Sequence, residues 1–182
     1  MHEVHLEPRS VQALAAVVPQ ERIDRLVQDI APRMAQEFAG HGIINVNSTA
    51  AGGGVAEMLN VLLPLTLSVG VPSRWFVIEG DAVFFALTKR LHHRLHGSKG
   101  DDGRLSVAEH ELMAAVVARN APALLEQVTP GDVVILHDPQ PAPLAAMLAE
   151  RGIPVVWRCH IGIDHDNEHT EEAWSFLRGF LE

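Results

Sequence analysis

The chain has 182 residues, 47% of them hydrophobic and 20% charged, which suits one globular domain with a real core and excludes a disordered or fibrous chain. Its 14 basic and 23 acidic side chains give a formal charge of −9, which argues against general binding to nucleic acid or anionic membranes. The single cysteine, Cys159, excludes an internal disulfide, and with no apolar leader or membrane-length apolar run the protein is expected to be cytoplasmic.

Residues 1–40 read as a helical N-terminal extension. Ile23, Leu26, Val27 and Ile30 fall on one helical face, and Gly40 stops the pattern. "GIINVNST" is a short apolar run expected to be a buried strand. A helix follows in "GGVAEMLNVLLPLTLSVG", with Val55, Met58, Leu59, Leu62, Leu63, Thr66 and Val69 on one face. Pro64 is expected to bend it, because the Asn60 carbonyl loses its donor. "SRWFVIEG" is a second strand, and Asp81 is placed to N-cap the helix "AVFFALTKRLHHRLHG".

Beyond the loop "SKGDDGR", Ser106 and Glu109 form a capping box that opens another helix. "DVVILHDPQP" is a strand ended by a polar pair and two prolines. "APLAAMLAERG" is a helix, "IPVVWRCHIG" a strand, and "TEEAWSFLRGFLE" a helix. Apolar strands alternating with helices predict an α/β domain, with a parallel sheet covered on both faces. In such sheets ligands bind beyond the C-terminal strand ends. Four polar clusters lie there: Asn47-Ser48-Thr49, Glu79-Gly80-Asp81, His137-Asp138 and His160.

Gly52, Gly53 and Gly54 stand between a strand and a helix, where bare backbone and free N–H groups favour an anion. The same glycines could serve only to turn the chain. G-x-G-x-x-G and the P-loop lysine are both absent, which speaks against nicotinamide dehydrogenases and ATPases. Asp138 could accept hydrogen bonds from a sugar hydroxyl or N-cap the next helix. Alternation along Val156, Arg158 and His160 puts the two polar residues on one side of the strand tip. His92 with His96, and His165 with His169 beside Asp164 and Asp166, have metal-ligand spacing, but H-E-x-x-H is missing and exposed histidines are the simpler expectation. Phe84, Phe85, Leu91 and Leu95 are expected in the core.

Together, "HGIINVNSTAAGGGVAEMLNVLLPL", "RWFVIEGDAVFFALTKRLHHRLHG", "VILHDPQPAPL" and "VVWRCHIGID" resemble the N-terminal half of the trehalose synthase (glycosyltransferring) and trehalose phosphorylase group. These are retaining glycosyltransferases of GT-B architecture, in which two Rossmann-like domains face each other across a cleft. The resemblance runs from about Ile43 to the end. It implies that residues 41–182 form a Rossmann-like acceptor-side domain, and that NDP-glucose and glucose give trehalose, or that phosphorylase relatives use trehalose and phosphate.

By the same resemblance Gly52, Gly53 and Gly54 would face the donor sugar-phosphate. Asp138 and His160 would be the catalytic pair at the reacting sugars. Glu79, Asp81, Thr88, Lys89 and His92 would join Asp138 around the acceptor. No metal ligand and no cofactor are implied in this chain, and any dependence on Mg2+ is left open. His92-His93 departs from the His-Asn of the family. The chain ends at Glu182 inside a helix, so the donor-binding domain is expected to be absent and the chain alone inactive. A catalytically inactive sugar-binding or oligomerisation module is the competing expectation, since an open sheet edge favours self-association.

Overall fold

A computed structural model describes residues 1–182. Five strands form one sheet: β1 (His2–Glu3), β2 (Ile43–Asn47), β3 (Ser73–Val77), β4 (Val133–His137) and β5 (Val155–Arg158). Their spatial order is β1-β3-β2-β4-β5. β2 to β5 run parallel, and β1 is an antiparallel edge on β3. Seven α-helices accompany them: α1 (Gln20–Arg25), α2 (Ala31–Glu37), α3 (Gly54–Ser68), α4 (Ala82–Leu95), α5 (Val107–Leu125), α6 (Leu144–Ala149) and α7 (Glu168–Leu181). This is the expected Rossmann-like α/β class. No helix is long and apolar enough to cross a membrane.

The strand order fixes where a ligand belongs. From β2 the chain steps out to β3, then jumps back across β2 to β4 on the other side. The connections therefore leave in opposite directions at the C-terminal ends of β2 and β4. That opening is the topological switch point of a parallel sheet, where ligands sit. The glycine loop follows β2, and His137-Asp138 closes β4.

The two faces of the sheet differ. Alternate residues Ile44 and Val46, Phe76, and Val134 and Leu136 pack with Leu87, Leu91, Met113, Val117, Leu144 and Leu177 in a core of 24 buried residues. The opposite face holds Trp75 and Val77 under α3, packed on Ala56, Leu59 and Leu63. By the two-residue repeat, Asn45, Asn47, His137 and Arg158 also lie on this second face. The sequence led us to expect apolar strands covered on both faces. At β5 the second face is uncovered instead, with Val156 51% exposed.

The N-terminal extension departs from a simple helix. His2–Glu3 pairs with β3, an edge strand too short to show a period. Next come a 3-10 segment (Val11–Ala16), α1, a π-helical turn (Leu26–Ile30) and α2. The π turn changes the angular step per residue. Ile23 is buried as expected, but Val27 and Ile30 turn outward. Pro64 lies buried inside α3, and its carbonyl accepts a hydrogen bond from Arg9 N at 2.9 Å, tying the extension to the helix. α3 buries Ala56, Leu59, Leu63, Pro64 and Leu65, while Leu62 is exposed.

Candidate active site at the C-terminal rim of the sheet

Asp138 is held at three points. Its N–H donates to Arg158 O at 2.9 Å. Its carbonyl accepts from Trp157 Nε1 at 2.8 Å. Its carboxylate Oδ1 accepts from the His160 backbone N–H at 2.7 Å. Asp138 is the only non-glycine residue with positive φ, 66°. Aspartate tolerates this left-handed geometry better than most residues. It caps no helix: α6 starts six residues later without a side-chain cap. Of the two roles open from sequence, the capping one is therefore set aside. The second carboxylate oxygen accepts no hydrogen bond from the chain.

His160 lies beside it. The rings of His137 and His160 stand 5.2 Å apart at 27°, with Nδ1 of His137 2.9 Å from Nε2 of His160. His137 is buried, and burial, then His160 and Arg158, push its pKa down to about 4. The His160 pKa is also lowered, chiefly by burial, with Asp138 opposing the shift. Both rings are therefore neutral at neutral pH. Arg158 and Val156 share the exposed side of β5 with His160, as the alternation predicted.

By the strand order, the glycine loop after β2 is the other side of the switch-point crevice. Asn47 Oδ1 accepts from the buried Trp75 Nε1 at 2.8 Å, and its Nδ2 donates to Thr49 O at 2.8 Å. These bonds set the path out of β2. Gly52 and Gly53 have φ of 76° and 86°, which side chains rarely adopt. A Cβ at Gly52, Gly53 or Gly54 would meet no atom within 4 Å. Positive φ explains glycine at the first two positions. Gly54 has neither positive φ nor a close neighbour, so nothing within the chain demands glycine there.

The acceptor-side residues divide. Asp81 N-caps α4, its Oδ1 accepting from Phe84 N at 2.9 Å. Glu79 is engaged by β1: its Oε1 lies 3.2 Å from His2 Nδ1 and its Oε2 3.4 Å from the terminal amine. The hydrogen bond from His2, then that from the amine, lowers its pKa. Thr88 is buried within α4, its hydroxyl 3.4 Å from Phe85 O. Lys89 is exposed. His92 is half-buried, and burial, then His96 and His93, lower its pKa, with Asp138 opposing the shift. The Thr88 side chain points into protein. The His92 and His96 rings meet edge-on at 4.7 Å. Phe85, expected in the core, is 39% exposed.

Sequence reasoning missed the residues that hold this rim. Asn120, buried on α5, accepts from Glu79 N at 2.8 Å and donates to Glu79 O at 2.7 Å. Asn45 Oδ1 lies 3.0 Å from His137 Nε2. Each is a lone asparagine, and no local pattern marks it. Gly80 carried a weak signal: a Cβ there would collide with the Phe84 ring.

A model of the family described as "Trehalose synthase, N-terminal domain" matches residues 45–182. The chain is 43% identical over 148 residues to a trehalose synthase of Thermococcus litoralis, covering 81% of this chain and 34% of that protein. It is 36% identical over 174 residues to a trehalose synthase of Pyrococcus horikoshii, covering 96% and 39%. A trehalose phosphorylase of Pleurotus sajor-caju is 31% identical over 143 residues, covering 72% and 19%. The chain thus spans about a third of the length of the trehalose synthases it matches. With the family model covering most of the chain on a Rossmann-like sheet, this protein belongs to the trehalose synthase N-terminal domain family.

Proposed function

We propose that this chain is the acceptor-side domain of a retaining GT-B glycosyltransferase that makes trehalose from NDP-glucose and glucose. The observation that carries this reading is the fixation of Asp138 at the switch crevice, one carboxylate oxygen bound to His160 N and the other free. A fixed carboxylate orients sugar hydroxyls without reorganising. Across the crevice, the N–H groups of the glycine loop suit the departing diphosphate. In this scheme the C1–O bond to the diphosphate breaks, and the acceptor hydroxyl oxygen bonds to C1 on the same face. Its proton passes to the leaving phosphate oxygen, so no protein base is required.

Calorimetric titration of the chain with glucose tests the reading. Binding is expected in the wild type and its loss in Asp138→Ala; equal affinity in both would overturn it. A second reading, a trehalose phosphorylase domain, is favoured by the likeness to the Pleurotus protein. Trehalose binding strengthened by inorganic phosphate would select it.

A further inference from the structure

A row of three side chains crosses β2, β4 and the end of β5, and it carries an assignment of protons. Asn45 and His137 are 3% and 2% exposed, whereas His160 is exposed. Asn45 Nδ2 donates to Arg74 O at 3.4 Å, which turns Oδ1 toward His137 Nε2 at 3.0 Å. A carboxamide oxygen only accepts, so His137 Nε2 carries the hydrogen. A neutral imidazole has one N–H, and Nδ1 of His137 must then accept. His160 Nε2, 2.9 Å away, has to donate to it. The remaining nitrogen of His160, Nδ1, has no protein partner and bears a lone pair at the rim.

We propose that Asn45 and His137 are positioning residues that lock His160 in its Nε2–H tautomer. Nδ1 is then an obligate acceptor that selects a ligand hydroxyl over a phosphate or carboxylate oxygen. An ionised phosphate or carboxylate oxygen has no proton to give, and its lone pairs would oppose that of Nδ1. The free oxygen of Asp138 is an acceptor too, so this end of the crevice is written for a polyol. The anion-favouring N–H groups lie opposite, in the glycine loop. The identity of the polyol as a sugar rests on the proposed function; the tautomer does not.

Long-range proton–nitrogen NMR of the nitrogen-labelled chain at neutral pH reads the state of each ring nitrogen without ligand. His160 is expected with a protonated Nε2 and a bare Nδ1. In His137→Phe the lock is gone, and His160 is expected to average between tautomers and to bind glucose about tenfold more weakly. His137→Asn restores an acceptor and is expected to return both readouts toward wild type; a purely packing role would not be rescued by this smaller side chain. If His137→Phe does not fold, Asn45→Leu removes the anchor one step back and is expected to loosen the tautomer similarly. A wild-type His160 with its proton on Nδ1, or already averaging, overturns the inference. A locked tautomer without glucose binding supports the lock and counts against the proposed function instead.

Discussion

The two walls of the crevice are built on opposite principles. The β4–β5 wall is held by its own chain: Asp138 is bonded at N–H, carbonyl and carboxylate, and His160 leans on His137 and Asn45. The glycine wall is left bare, and a Cβ at Gly52, Gly53 or Gly54 would meet nothing within 4 Å. A wall pinned by the chain is ready before a ligand arrives, and polar groups that need no reorganisation favour binding. Positive φ accounts for glycine at Gly52 and Gly53, but Gly54 is kept bare without internal need, which leaves room there for something else. Substitutions should therefore lose stability on the first wall and ligand contact on the second.

Acid gives the largest expected effect on the pinned wall. The His137 pKa lies near 4 in the fold, against 6.5 unperturbed. Because the unfolded chain binds the proton more readily, stability from this group is complete above about pH 6.5 and is lost as pH falls toward 4, roughly 3 kcal/mol in all. Denaturant melts across that window should show this slope in the wild type and a flatter one in His137→Asn.

Asp138→Ala comes next. It removes the hydrogen bond that the carboxylate accepts from His160 N and loses the tolerance of aspartate for φ of 66°, together about 2 kcal/mol. Asp138→Gly relieves the backbone strain and should recover part of the thermal stability, with no recovery of glucose affinity in calorimetry. Full recovery of both would break the assignment of the carboxylate to the ligand.

On the bare wall, Gly52→Ala and Gly53→Ala should each cost about 1 kcal/mol, because their φ is positive. Gly54→Ala is the sharpest discriminator and has the smallest stability effect. It should leave thermal stability unchanged or raise it by about 0.5 kcal/mol, yet weaken binding of an NDP-glucose, read by calorimetry. A Gly54→Ala chain that binds the donor as well as wild type would leave the bare wall without a ligand.

Element order and type were legible because parallel strands and amphipathic helices write their periods locally. The Asp81 cap and the Ser106–Glu109 capping box were legible for the same reason, since both partners lie within three residues. The gathering of His137-Asp138, His160 and the glycine loop at one rim also followed, because strand ends are visible in sequence. The strand order was not legible: no residue announces that β4 returns beside β2. Without it, the unequal faces of the sheet and the row Asn45–His137–His160 stayed hidden. Their contacts span 92 and 23 positions. Likewise, the contacts of Glu79 with His2 and the terminal amine were not legible, because the two-residue pairing of β1 is too short to carry a pattern.

The most direct measurement follows backbone amide resonances of the labelled chain during titration with glucose and then with an NDP-glucose. Glucose should shift Asp138, Cys159 and His160 and leave Gly52, Gly53 and Gly54 in place. The NDP-glucose should then move the three glycines. Glucose shifts confined to the glycine loop, or none at the β4–β5 wall, would contradict the account.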